Sequence, residues 1–212
     1  MPDPTPLGHQ VPSTLAEPLD DKEDLHRWLR MVREVMVWKL EGLSDADIRR
    51  PMTRSGTNLL GLVKHLTYGE IEYLGDTFDR PAPILLPWWE PENVQHTLET
   101  GADMYAVPGE STDYIVGLYR QACDNADQTI AQFELDAVGT LPRSGERFTL
   151  LQAIVHVIHE TSRHAGHADI VRELIDGFVG GARENPWVPD DAWLRNHFQR
   201  VEASAAAAEQ SE

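Results

Sequence analysis

Four long stretches of helical periodicity, separated by clusters of proline and glycine, leave few folds open to this chain. In residues 22–43, Leu25, Leu29, Val32, Val35, Met36, Lys39 and Leu40 recur at the three- and four-residue spacing of one helix face. Residues 58–78 follow Thr57, a residue type that caps helix N-termini. Residues 112–133 follow Ser111 and carry Asp113 in the first turn, where a negative charge suits the helix dipole. Residues 149–176 stop at Gly177, a residue type that readily takes the left-handed turn closing a helix. Strand signals are nearly absent, and residues 143–148 read as a tight turn ahead of the fourth helix. The expected fold is all-α: an antiparallel four-helix bundle over residues 21–178.

The flanks and the longest link read differently. Residues 1–20 hold Pro2, Pro4, Pro6, Pro12 and Pro18, a spacing that breaks helices and strands alike and predicts a flexible arm. Residues 179–200 are expected to pack across the bundle with Trp187 and Trp193 as anchors, and residues 201–212 to form a disordered tail. The link between the second and third helices, residues 79–110, is too long for a simple connection. It carries Pro81, Pro83, Pro87, Pro91 and Pro108 beside Trp88 and Trp89, and reads as a packed cover because large aromatics are rarely left fully exposed.

Charge narrows the partners. With 18 Lys plus Arg against 35 Asp plus Glu, the formal charge is 18 − 35 = −17, which repels phosphate backbones and anionic lipid. Neither nucleic acid nor membrane is an expected partner. A lone cysteine, Cys123, leaves no intramolecular disulfide and no Cys-rich zinc motif. No apolar run approaches a membrane span, and the first residues lack the basic-then-apolar pattern of a signal peptide, so the expectation is a cytoplasmic protein.

The fourth helical stretch holds the chemistry. His156, His159, His164 and His167 crowd into it around Glu160. At about 100° per residue, His164, His167 and His156 fall within about 40° of Glu160, on a face shared with Ala153, Val157, Val171 and Leu174. His159 and Asp169 point away. A carboxylate and imidazoles on an inward face carry a desolvation cost of several kcal/mol unless they are paired. A divalent cation removes that cost, and Glu160 and His164, four residues apart, reach one ion from successive turns. A third ligand has to come from a facing helix. His65 is the only histidine of the second helix and shares its side with Gly61, Tyr68, Gly69 and Glu72. The two glycines leave room for a neighbouring helix or a ligand. Taken singly, His65 is more often a hydrogen-bonded core histidine and the Glu160–His164 pair a surface pair; together they point to a metal site of His65, Glu160 and His164. His156 and His167 are candidates for fixing the ligand tautomers.

Trp38-Lys-Leu-Glu-Gly-Leu-Ser44, Ser55-Gly-Thr-Asn-Leu-Leu-Gly-Leu-Val-Lys-His65-Leu, His156-Val-Ile-His-Glu160-Thr-Ser-Arg-His164-Ala-Gly-His167-Ala-Asp169 and Arg172-Glu-Leu-Ile-Asp-Gly177 occur in order and at characteristic spacing. Over roughly residues 22–178 the chain resembles the DinB-like superfamily of metal-binding four-helix bundles, in particular its actinobacterial mycothiol-transferase branch. The resemblance implies one metal ligand from the second helix and two from the last, which fall on His65, Glu160 and His164, with Gly166 supporting the register. Many relatives carry histidine where this chain has Glu160. The exchange adds a negative charge and weakens the Lewis acidity of a bound ion.

What the resemblance implies about function is a transferase or isomerase that uses a low-molecular-weight thiol of the mycothiol type on a small electrophile. The cofactor is then one divalent metal, zinc or nickel first and iron or manganese next, with mycothiol as cosubstrate. In that reading His167 or Glu72 moves protons, and Arg163 or Arg172 recognises an anionic group. Two alternatives stay open: a bundle that sequesters a metal or small molecule without turnover, and a scaffold whose metal is structural. A homodimer fits bundles with exposed apolar helix faces.

Overall fold

A computed structural model describes residues 20–183, 185–186 and 189–209 of the chain; the expectations for the N-terminal arm and for Trp187 lie outside the described residues. The bundle helices are α1 (Asp21–Trp38), α3 (Leu59–Leu74), α5 (Thr112–Gln132) and α6 (Leu150–Asp176), with the short α2 (Asp45–Arg49) and α4 (Val94–Thr100) in the links. Each bundle helix starts on a side-chain cap. Asp20 accepts from the Glu23 amide, Asn58 from Gly61, Ser111 from Tyr114, and Thr149 forms a reciprocal capping box with Gln152. The cap of α3 is therefore Asn58, one residue past Thr57. Gly177, at φ 77°, ends α6 as its sequence suggests.

The first helix stops at Trp38, five residues before the expected end at residue 43. Lys39 explains this. Its side chain is fully buried and its Nζ lies 2.6 Å from Asp169 Oδ1. The Arg172 guanidinium donates to the Lys39 and Glu41 carbonyls at 2.8 Å each, satisfying acceptors at the end of α1 that further helix would have used.

Helix directions follow from who meets whom. Tyr73 near the end of α3 meets His156 near the start of α6, whereas His65 nearer the start of α3 meets His164 further along α6, so these two helices are antiparallel. Lys39, just past α1, meets Asp169 toward the end of α6, and Leu29 packs with Leu150 and Ala153, so α1 and α6 run parallel. Asn125 and Thr129, late in α5, bond to Arg80, just past the end of α3, whereas Lys64 near the start of α3 meets Glu110 just before α5. Helices α3 and α5 are therefore parallel too. The expected four-helix bundle is present, with directions up, down, down, up.

That pattern explains the long link. Two parallel neighbours can be joined only by a segment that travels back along the bundle. Residues 79–110 make that return across the face of α3. Lys64, fully buried, donates to the Tyr105 carbonyl at 2.9 Å and to Glu110 at 2.8 Å, and its Nζ lies 4.1 Å from the centre of the buried Trp88 ring. Asn58 donates to the Met104 carbonyl at 3.0 Å. Gly61 allows the closest approach, since a Cβ there would overlap the Met104 carbonyl oxygen. Gly69, paired with it in the sequence, faces open space.

A two-stranded hairpin, β1 (Val138–Thr140) with β2 (Arg147–Thr149), leads from α5 into α6 in place of a bare turn. Beyond α6 the chain packs on the end of α1, and the last helix then lines a cavity with the end of α6. Phe178 stands edge-on to Trp38 at 5.4 Å, and the short pair β3 (Gly181–Ala182) and β4 (Asn185–Pro186) precedes α7 (Asp191–Glu209). No residue of α7 is buried, and Trp193 stacks on His197 of its own helix at 4.6 Å. Trp193 is half-buried, and residues 201–209, expected as a disordered tail, are helical. The alanine run 205–208 is the best intrinsic helix former, and the helix continues to Glu209.

The two glycines of α3 give opposite expectations. Gly61→Ala should cost about 1–3 kcal/mol by forcing the 79–110 segment off α3. Gly69→Ala should be neutral or stabilise by up to about 1 kcal/mol, because alanine is the better helix former and meets no atoms there. Thermal melts of the two variants beside the parent check this; equal melting temperatures would show that the link does not dock at Gly61.

Candidate metal centre

His65 projects from the second turn of α3, and Glu160 and His164 from the middle of α6. The antiparallel packing of these helices brings one ligand atom from each residue to within 4.8 Å of the other two. Among the described residues it is the group of His, Cys, Asp and Glu side chains that converges in this way. Glu160 Oε1 lies 3.0 Å from His164 Nε2 and 3.8 Å from His65 Nε2. The two imidazoles meet edge-on at 5.1 Å. His164 is buried, whereas the side chains of His65 and Glu160 are each 33% exposed, so the group is closed below and open to one side.

Burial and the neighbouring His65 hold His164 below the ordinary histidine range, which keeps its ring neutral with a lone pair to offer. Burial works to raise Glu160, but the hydrogen bond with His164 and the nearby imidazoles outweigh it and hold the carboxyl below its usual range. Two neutral nitrogens and a carboxylate oxygen suit a divalent ion of the zinc, nickel or iron type, and three protein donors leave coordination positions open.

Asp103, which no sequence pattern singled out, orients His65. Its Oδ2 lies 2.7 Å from His65 Nδ1, and the residue is buried. An aspartate there accepts the Nδ1 proton and leaves the Nε2 lone pair facing Glu160, the carboxylate–histidine arrangement that fixes metal-binding tautomers. Asp103 belongs to the returning link, next to the Met104 carbonyl seated on Gly61. The signal present in the sequence was Gly61 itself, four residues before His65, but the Met104 carbonyl it admits lies 43 positions further along.

The other expected site residues separate. His167 Nδ1 lies 3.4 Å from His164 Nδ1, so His167 can accept the proton of the His164 tautomer whose Nε2 is free. His156 stacks on Tyr73 at 4.1 Å, and burial chiefly lowers its pKa. Glu72 lies on the same face of α3 but is engaged: Tyr68 donates to it at 2.9 Å and Arg143 Nε lies 3.4 Å away. A carboxylate so held is less free to move a proton. Arg172 is likewise engaged. Its donors serve the carbonyls past α1 and Asp176, so it has no free fork for a ligand. Arg163 remains exposed on the outer side of α6 and makes no ion pair among the described residues.

A family model described as mycothiol-S-transferase matches residues 24–177, which include all four bundle helices up to Gly177. No curated protein matches the chain. Among solved structures, YfiT from Bacillus subtilis, titled a probable metal-dependent hydrolase with an unusual four-helix bundle topology, is similar over 73% of this chain and 90% of its own, with 16% identity and a TM-score of 0.46.

The Asp103 contact makes a direct expectation for the ring it touches. In nitrogen-resolved NMR of the parent, His65 should populate the Nδ1–H tautomer, and Asp103→Ala should give the mixture of an unconstrained imidazole. An unchanged tautomer in Asp103→Ala would show that something else sets the ring.

Proposed function

Because the chain belongs to the mycothiol-S-transferase family, we propose that it is a metal-dependent thiol S-transferase that joins a low-molecular-weight thiol of the mycothiol type to a small electrophile. The observation that supports this most is the convergence of His65, Glu160 and His164 within 4.8 Å, with Asp103 behind the first of them. In this reading these three residues hold one divalent ion, zinc or nickel first. Such an ion supplies the positive charge that lowers a thiol's pKa and stabilises the thiolate at neutral pH.

The residues around it have separable tasks. Asp103 and His167 hold the two imidazoles with their Nε2 lone pairs toward the ion. Glu160 adds an oxygen donor and one negative charge, which tempers the ion's Lewis acidity relative to an all-histidine site. The Trp88–Trp89 part of the link covers the side nearest Tyr68, with Trp89 over the Tyr68 ring at 4.4 Å, and excludes water there. In the reaction the thiol loses its proton to solvent or to a base at the open side. The sulfur forms a bond to the electrophilic carbon, and the leaving group departs with the bonding pair. A His167 that accepts from His164 at Nδ1 keeps its Nε2 proton, so the leaving group takes its proton from solvent at the open side and the part of His167 is to hold the His164 ring.

Elemental analysis of the parent chain should find about one divalent metal per chain, and much less in His65→Ala and Glu160→Ala. The cobalt-loaded parent should develop a thiolate-to-cobalt absorption band with mycothiol or 2-mercaptoethanol, and should consume mycothiol with an electrophile from a broad panel. Metal binding without the band or turnover would instead favour sequestration. No metal after incubation with zinc, nickel and manganese would leave a buried polar network and remove the enzyme reading.

A further inference from the structure

Arg143 sits at the turn of the hairpin between β1 and β2, in the stretch read above as a tight turn and given no chemical role there. The hairpin is pinned to the end of α3, since a Cβ on Gly139 would overlap the Thr77 carbonyl. From there the guanidinium reaches over two rings, 4.6 Å from the centre of Tyr68 and 4.2 Å from that of Trp89. Stacking fixes the plane of a guanidinium but leaves its edge free to donate. Its ion pair among the described residues is a long one, 3.4 Å through Nε to Glu72, and its side chain is 42% exposed. A guanidinium carries five donors, more than the contacts with Glu72 and Tyr68 use, and its fork is matched to a carboxylate in two-point geometry.

The guanidinium also contacts Tyr68 and Glu72, on the side of α3 that carries His65. Tyr68 is one helical turn from His65 on α3. Glu72, which Arg143 contacts, is followed on α3 by Tyr73, whose ring meets that of His156 on α6, one turn before Glu160. Between His65 and Glu72, on that face of α3, stands Gly69, and a Cβ there would meet nothing within 4 Å. The floor between the metal-binding group and Arg143 is therefore bare. The formal charges agree. Asp103, Glu160 and Glu72 against Arg143 sum to −3 + 1 = −2, which one divalent ion cancels, so a further anion is not repelled from the loaded site.

We infer that Arg143 is the carboxylate-recognition residue of this site, and that the electrophile is a small carboxylic acid lying over Gly69 between the metal-binding group and the guanidinium. The inference rests on the metal-site reading above and adds a substrate class to it. It replaces Arg163 and Arg172 as the source of anion recognition.

The test uses the full zinc-loaded chain and two neutral–anionic pairs. Benzoate against benzamide, followed by calorimetry, needs no thiol and reads an acid carried by the electrophile. In the cobalt-loaded chain, 3-mercaptopropionate against 2-mercaptoethanol, followed by the thiolate band, reads an acid carried by the thiol. The expected result is benzoate bound about tenfold or more tightly than benzamide. That ratio should collapse toward unity in Arg143→Gln, recover in part in Arg143→Lys, and rise in Glu72→Gln, where the competing carboxylate is gone. Gly69→Leu should weaken both aromatic probes by filling the floor. If Arg143 only latches the hairpin to the link, Arg143→Gln will lower the melting temperature and leave the benzoate-to-benzamide ratio unchanged, which overturns the inference. A preference confined to the mercaptocarboxylate overturns the assignment of the acid to the electrophile. Loss of the thiolate band with the benzoate preference intact would instead sink the thiolate reading alone.

Discussion

Helices α3 and α5 run in the same direction, and much of the molecule follows from that. Parallel neighbours cannot be joined by a tight turn, so the chain must retrace the length of the bundle between them. Over residues 79–110 it does so against α3, and α3 is shaped to receive it. Gly61 gives up its side chain to admit the Met104 carbonyl, Asn58 and Lys64 donate to the link's carbonyls, and Glu110 neutralises Lys64. The connection thereby becomes a structural layer. It delivers Asp103 to His65 and Trp89 to Tyr68, the two contacts that turn one face of α3 into a wall of the site.

The buried charges act as fasteners between elements that apolar packing alone leaves free to slide. Arg33 meets Glu70 at 2.5 and 2.7 Å and Asp127 at 2.6 Å, tying α1 to α3 and α5. Lys39 with Asp169 ties the end of α1 to α6, and Lys64 with Glu110 ties α3 to the link. A buried ion separated from its partner costs about 3–5 kcal/mol, so each pair penalises any register but one. Such registration matters at the metal-binding group, whose ligands come from two helices and whose ligand atoms must converge on one point.

A protein with a strong negative charge has arranged its cations with care around this site. The guanidinium of Arg143 lies over two rings with one long ion pair to Glu72, while Arg172, Arg33 and Lys64 are held by several short contacts to protein acceptors. The contrast separates binding from structure among the basic groups. A cation whose donors are all used holds the fold, and one whose edge is free can hold a ligand.

The all-α class, the boundaries of α5 and α6, and the trio His65, Glu160 and His164 were legible in the sequence, because helical periodicity places residues three and four apart on one face whatever surrounds them. The same local rule was enough to put Glu160 and His164 side by side. It could not tell that the end of α1 would be drawn apart by Lys39 and Arg172, nor that the stretch from residue 201 would continue as helix without burying a side chain. Asp103 and Arg143 carry no periodic or motif signal at all. One lies in an irregular link and the other in a hairpin turn, and each reaches the site through contacts tens of residues distant in sequence. What the sequence determined by itself was every feature set by neighbours within a helical turn. The direction of α5, the orienting partner of His65 and the guanidinium over Tyr68 and Trp89 were decided only by tertiary structure, because they depend on where the chain returns after leaving α3.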